Sequence, residues 1–261
     1  VIELLDARIP RSSRNPDIDE ICGDKPRLIV LNRSGQADAK YTAAWKKHLS
    51  ESGADAGYDR AVCDTDCQTK QGLANVPEVI FSLMRPKLER YAAKGQTGRG
   101  LRLMVVGVPN VGKSSFINAL AGRKAAKAED RPGVTRGSQW FSVGQGLELL
   151  DTPGILWPKF EDENTGLNLA FTGAIRDQIL DVETLASKLC EVLYRSYPER
   201  LSERYKTALI GELAGYEVLE AIGRRRGFLI SGGEVDLERA ANTVLDEYRG
   251  GKLGRITLEQ P

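Results

Sequence analysis

The chain has 261 residues, with 37 Lys and Arg against 36 Asp and Glu, one His and 41% hydrophobic residues. That length suits one large domain or two ordinary ones, and the composition excludes disordered and disulfide-stapled classes. No apolar run approaches the roughly 18 residues that a membrane helix needs. The four cysteines, Cys22, Cys63, Cys67 and Cys190, show no framework spacing and point to a reducing compartment.

In chain order, Val1–Asp6 and Leu28–Asn32 are strand candidates that end in a polar residue. The chain opens without Met or a signal pattern, and Val1–Leu5 reads like the middle of a strand, so an upstream segment is expected. Tyr41, Ala44, Trp45 and Leu49 are spaced as one helix face. Val76, Val79, Ile80, Leu83, Leu88 and Tyr91 repeat that spacing, with Pro86 expected to kink or break the helix. After a Gly-containing linker, Lys94–Gly100, the run Leu101–Val106 predicts a strand buried on both faces of a parallel sheet. Trp140–Val143 and Leu147–Asp151 flank Gly144-Gln145-Gly146 as a hairpin. Strands alternating with helices give an α/β doubly wound sheet. Beyond about residue 165 only helical patterns remain. Val182, Leu185, Ala186, Leu189, Val192 and Leu193 form one apolar face, and Leu237, Ala240, Ala241, Val244, Leu245 and Tyr248 another, closed by Gly250-Gly251. The expected division is an α/β domain over 1–164 and a small all-α domain over 165–261.

The near-zero net charge hides a basic block, because residues 85–136 carry 12 basic and 3 acidic side chains. Such a block either serves a polyanion such as RNA or neutralises a bound phosphate. Inside it, Gly107-Val108-Pro109-Asn110-Val111-Gly112-Lys113-Ser114 fits G-x-x-x-x-G-K-[ST] between a predicted strand and a helical pattern. Glycines let backbone N–H groups turn in around phosphates, and the helix N-terminus adds its positive end. Lys113 is placed to span the β- and γ-phosphates and Ser114 to ligate Mg²⁺. Asp151-Thr152-Pro153-Gly154 ends the next strand pair, where Asp151 can hold Mg²⁺ through water and the Gly154 amide can sense a γ-phosphate. Between them, Arg131–Thr135 offers Thr135 to complete the metal shell.

With these motifs in view, the chain resembles translational-type GTPases, and more closely the circularly permuted ribosome biogenesis GTPase A (YlqF-like) family. The resemblance runs over nearly the whole sequence. It includes Asp6–Pro10, Ser12–Pro16, the phosphate loop, Asp130–Thr135, Asp151–Asp162, Gly173-Ala174-Ile175, Tyr197–Arg200 and Ser231-Gly232-Gly233. It implies a permuted P-loop GTPase domain with a mostly parallel sheet, followed by an all-α domain that is a candidate for rRNA or ribosome contact. It implies hydrolysis of GTP to GDP with Mg²⁺, and a role in assembling the large ribosomal subunit. The implied partner is the precursor particle and its rRNA, met in the cytoplasm by a monomer with no membrane or DNA partner. By the same resemblance, nucleotide is held by Asn32, Arg33, Ser34, Gly35, Asp66 and Cys67 at the base and by Asn110, Val111, Gly112, Lys113, Ser114 and Ser115 at the phosphates. Thr135 and Gly154 belong to the switches.

Two departures from the family pattern stand out. The base motif Asn-Lys-x-Asp reads Asn32-Arg33-Ser34-Gly35, so the carboxylate that accepts guanine N1–H and the 2-amino group is missing. Weaker guanine discrimination is expected, to be restored by Gly35→Asp, unless Asp38 substitutes through a loop shift. Arg33 can still stack its planar group on a base or ribose. At the second switch, Ile155 stands where related GTPases often carry a water-orienting Gln. The family is thought to use a His from its N-terminal segment, so the catalytic residue is not named in this chain. His48 lies among packing residues of a helix. Slow turnover without ribosomal particles is therefore expected, and a nucleotide-gated ribosome-binding module with little hydrolysis is the alternative.

Three further features have two readings or none. Asn110 resembles the asparagine with which some GTPases hold K⁺, and it can equally shape the loop. Cys63–Cys67 lacks the partners for a zinc site. Arg224-Arg225-Arg226 is either a helix end favourable to the dipole or a contact for RNA phosphates.

Overall fold

A computed structural model describes residues 1–52, 58–96, 100–122, 139–160, 162–175, 181–209 and 211–261. Its sheet holds β1 (Ile2–Asp6), β2 (Arg27–Asn32), β3 (Arg60–Asp64), β4 (Leu101–Val106), β5 (Gln139–Gly144) and β6 (Leu147–Asp151), in the order β3-β2-β1-β4-β6-β5. Every pair is parallel except the β5–β6 hairpin. β1 is central, with Ile2 opposite both Leu28 and Val105. From β1 the chain winds outward through β2 to β3, and from β4 it winds the other way to β6. The topology therefore reverses between β1 and β4, where a doubly wound sheet opens a crevice at its C-terminal ends. The mostly parallel, circularly permuted arrangement expected from the sequence is present.

Two helical layers cover the sheet. On one face, Ile2, Leu4, Leu28, Val30, Leu103, Val105 and Leu149 pack with Val76 and Ile80 of α3 (Val76–Ala93) and Phe116 and Ile117 of α4 (Lys113–Ala121). On the other, Leu5, Ile29 and Leu31 pack with Trp45 and Leu49 of α2 (Ala39–Glu51). A short α1 (Ile18–Cys22) precedes β2. Alternate side chains of each strand thus feed the two layers, as the pleat requires.

Two expectations about this half need correction. Pro86 does not end its helix, since α3 runs through it to Ala93. Pro86 leaves the Ser82 carbonyl without its helical donor, but Ser82 is exposed, so that carbonyl is open to solvent. Nor is β4 buried on both faces, because Arg102 and Met104 point away from the core and Met104 is 44% exposed among the described residues. Arg102 instead pairs with Glu148 at 2.8 Å and lies over the Trp140 ring.

The remaining elements are helices: α5 (Glu163–Phe171), α6 (Val182–Ser196), α7 (Pro198–Tyr205), α8 (Gly215–Arg226) and α9 (Leu237–Arg249). Their core joins Leu185, Ala186, Leu189 and Leu193 of α6 to Val218, Leu219 and Ile222 of α8 and to Ala240, Ala241, Val244 and Leu245 of α9. α5 straddles the two halves, with Leu169 in the sheet core and Phe171 in the helical core. The tail then returns to the sheet: Ile256 N–H donates to Gln36 O at 2.9 Å, Leu258 N–H to Arg8 O at 2.8 Å, and Glu259 accepts from Arg11 and Ser12 N–H.

Buried Glu247 on α9 accepts from Arg204 Nε at 2.9 Å and Arg226 Nη2 at 3.0 Å. Burial alone would raise its pKa, but the two guanidiniums outweigh that and hold it below the usual carboxylate value. A lowered folded-state pKa gives stability that is complete above the unfolded pKa and lost as pH falls through the folded one. Glu247→Gln should therefore flatten the fall of stability between pH 5 and the acid limb, about the range in which carboxylates titrate. Urea melts at stepped pH read this, and identical slopes for parent and variant would contradict it. This cluster also gives Arg226 an internal partner, while Arg225 Nε caps Lys206 O and Arg224 pairs with Glu220.

Candidate nucleotide site

The phosphate loop leaves β4 at Val106 and enters α4, whose N-cap is Gly112 at φ 99°. That left-handed conformation suits glycine, and a Cβ there would stand 2.6 Å from Asn32 Nδ2. Lys113 is 7% exposed and curls into the loop, donating to Gly107 O at 3.0 Å and Val108 O at 2.9 Å. Burial lowers its pKa to about 8, against the opposing pull of Asp151. Ser114 Oγ donates to Asp151 Oδ2 at 2.9 Å.

Among the described residues Asp151 Oδ1 is buried without a hydrogen-bond partner, and burial raises the carboxyl pKa in spite of Ser114 and Lys113. A buried orphan oxygen beside a hydroxyl is a hard, all-oxygen donor set, which fits Mg²⁺. Gly154 backs onto the same loop: a Cβ on it would lie 2.6 Å from Pro109 Cα and 2.9 Å from Lys113 Nζ. Only glycine approaches the phosphate loop this closely. The next side chain, Ile155, is 63% exposed. Thr135 lies outside the described residues, as does the rest of 123–138.

The early loops reach the phosphate loop from the other side of the switch point. Asn32 Nδ2 donates to Val111 O at 2.8 Å, while its Oδ1 accepts from Thr65 Oγ1 at 3.2 Å and Cys67 Sγ at 3.4 Å. Its amide thus ties three loops together. Arg33, left-handed at φ 61°, donates from Nη2 to Asn110 O at 2.8 Å and from Nη1 to Arg249 O at 3.3 Å. These bonds hold its guanidinium between the phosphate loop and the end of α9. Ser34 is buried and its N–H donates to Thr65 O at 3.0 Å. Asp38 accepts from Lys40 N–H as the cap of α2. That bond turns Oδ1 to the start of α2, so a base-reading role for Asp38 would need the loop shift. His48 stands edge-on to Trp45 in the α2 layer.

Asn32, Arg33, Asp66, Cys67, Asn110, Gly112 and Ser115 line one cavity of about 530 Å³. Sequence reasoning assembled these seven but missed the opposite wall, which comes from the helical half: Thr172, Gly173, Ile175, Asp246, Arg249 and Gly250. Asn110 Nδ2 donates across to Gly173 O at 2.8 Å. Gly173-Ala174-Ile175 was visible as a motif without a role; nothing in the sequence tied α9 to the cavity.

The 50S ribosome-binding GTPase family profile matches residues 102–208. Ribosome biogenesis GTPase A of Bacillus cereus is 48% identical over 261 residues, covering 100% of this chain and 86% of that protein. The chain belongs to the ribosome biogenesis GTPase A family. Like its family it binds and hydrolyses GTP. GDP-bound YlqF superposes with a TM-score of 0.69 at 27% identity, covering 100% of this chain and 93% of that one. GNP-bound YlqF from Thermotoga maritima gives 0.68 at 26%, with 100% and 91% covered. Among the described residues no helix is long and apolar enough to cross a membrane, and no His/Cys/Asp/Glu cluster forms a metal site, Cys63 and Cys67 being free thiols.

Proposed function

We infer that this GTPase assists assembly of the large ribosomal subunit in the cytoplasm, binding the precursor particle and its rRNA as a GTP-bound monomer and leaving it after hydrolysis. One observation carries the switching part of the reading. The nucleotide cavity is walled by both halves of the chain, stitched by Arg33 to Arg249 O and Asn110 to Gly173 O. Loss of the γ-phosphate frees the Gly154 loop, and the chain from there runs straight into α5. In this reading residues 1–164 hold the nucleotide and residues 165–261 face the particle.

The triphosphate lies along Asn110–Ser115, with Lys113 on the β- and γ-oxygens and the base toward Asn32–Gly35 and Asp66-Cys67. Mg²⁺ would be held by Ser114, by Thr135 and through water by Asp151, and would supply positive charge against the charge that develops on the phosphates. Asn110 is the candidate for a K⁺ beside the phosphates, with its Nδ2 already committed to Gly173 O. Ile155, turned to solvent, orients no water, so turnover by this chain alone is slow.

The test is GTP turnover with and without large-subunit particles, in K⁺ and in Na⁺. Acceleration by large but not small subunits, greater in K⁺, is expected. Fast turnover by the chain alone, unchanged by particles or cation, would contradict the reading.

A further inference from the structure

Gly35 breaks the base motif, and the space it vacates is occupied. A Cβ on Gly35 would stand 2.6 Å from Asp66 Oδ2 and 3.1 Å from its carboxyl carbon. Within one aspartate, bond lengths alone put Cβ about 2.4 Å from a carboxyl oxygen. Oδ2 of Asp66 therefore lies about as far from that Cβ as the oxygen of an Asp at position 35 would. The expectation that Gly35→Asp simply restores the motif fails on this geometry, since the new side chain would meet a buried carboxylate of like charge.

We propose that Asp66 supplies, from the loop after β3, the guanine-reading carboxylate that Asn32-Arg33-Ser34-Gly35 lacks. The inference rests on the nucleotide reading of the cavity, which Asp66 lines. Asp66 is 2% exposed and its carboxylate is fixed from behind: Oδ1 accepts from Gln68 N–H at 2.9 Å, Thr69 N–H at 2.8 Å and Thr69 Oγ1 at 3.1 Å. Oδ2 accepts from Gly35 N–H at 3.1 Å. A carboxylate oxygen has room for a second donor, so Oδ2 retains an acceptor site for guanine N1–H or the 2-amino group. Glycine at 35 is the complement of this arrangement. It leaves space for the Asp66 side chain and offers its own N–H to hold it. Adenine, with an acceptor in place of N1–H, would present a lone pair to this carboxylate and be rejected.

The competing source of a carboxylate is Asp246, an exposed residue near the end of α9 that lines the same cavity. It belongs to the opposite wall, and among the described residues no bond aligns it with the base loops. Asp66 is hydrogen-bonded to Gly35 itself.

The test is a set of competition titrations of GTP, inosine triphosphate and xanthosine triphosphate on the parent, Asp66→Ser, Gly35→Asp, their double variant, Asp66→Asn, Asp246→Asn and Lys113→Ala. The parent should prefer GTP over inosine triphosphate, which lacks the 2-amino group, by about tenfold to a hundredfold. Asp66→Ser should bring that ratio near one, and Gly35→Asp alone should weaken every nucleotide. The double variant, which moves the carboxylate back to position 35, should recover most of the preference, a non-additivity that loop damage does not produce. Asp66→Asn exchanges an acceptor for a donor and should shift preference toward xanthosine triphosphate.

Unchanged ratios in Asp66→Ser and Asp66→Asn would overturn the proposal, as would a ratio that collapses only in Asp246→Asn. So would loss of all binding in the Asp66 variants with no recovery in the double variant, since Asp66 would then only hold its loop. Should Lys113→Ala bind GTP like the parent, the fault lies in the nucleotide-site reading instead.

Discussion

Lys113→Ala is expected to lower GTP affinity by about a hundredfold or more, the equivalent of two charge-assisted hydrogen bonds lost together. The side chain is held for this task before any ligand arrives. Its ammonium is 3.0 Å from Gly107 O and 2.9 Å from Val108 O, inside the phosphate loop. Burial has pushed its pKa down to about 8, so an arriving phosphate gains a partly desolvated charge whose proton it then secures. Calorimetry with GTP measures the effect, and circular dichroism shows whether the fold survives. Parent-like affinity in a folded Lys113→Ala protein would remove the phosphate-loop assignment.

Arg8→Ala should be the most damaging substitution outside the nucleotide cavity. Arg8 and Asp6 are both buried, joined by Arg8 Nη2 to Asp6 Oδ2 at 2.7 Å and Nε to Oδ1 at 2.9 Å. Burial pushes the Asp6 carboxyl up, yet the Arg8 charge and bonds, with Arg33 behind them, hold it below its ordinary value. The same guanidinium donates to Tyr248 O at 3.1 Å and lies over the Tyr248 ring, so it fastens α9 to β1. Removing it strands a buried carboxylate, a loss of about 3–5 kcal/mol in comparable buried pairs. Urea unfolding should show that fall in the parent-to-variant comparison. A change under about 1 kcal/mol, the level of an exposed ion pair, would contradict the structural role given to Arg8.

Much of the sheet was legible because its signals are local. Leu28–Asn32 and the hairpin around Gly144–Gly146 announce themselves through apolar runs ended by polar or turn residues. The phosphate loop carries its own glycines and lysine. β3 was not legible: Arg60–Asp64 is half-buried, short and without alternation, and only pairing with β2 makes it a strand. β4 misled for a different reason. Its apolar letters suggest two covered faces, whereas Arg102 and Met104 face outward and the pleat of a single-sided strand fits them.

The site was half legible for the same physical reason. The residues on the loops after β2, β3 and β4 could be grouped because family motifs mark them. The wall from α9 depends on hydrogen bonds between residues more than 200 positions apart, such as Arg33 to Arg249 O, and no pattern in either segment records them. The Asp66–Gly35 exchange was hidden likewise. Each residue alone looked like an ordinary loop position or a loss, and only the fold joins them, through the Gly35 N–H bond to Asp66 Oδ2 and the 2.6 Å that a Cβ on Gly35 would leave.

The most direct measurement of the account is sedimentation of the chain with purified large-subunit precursors in three states: a non-hydrolysable GTP analogue, GDP, and no nucleotide. The cavity shared by the two halves predicts retention with the triphosphate analogue and at least about tenfold weaker retention with GDP, with Lys113→Ala behaving as if no nucleotide were present. Equal retention in all three states, or retention of Lys113→Ala at the parent level, would contradict a nucleotide-controlled role in ribosome assembly.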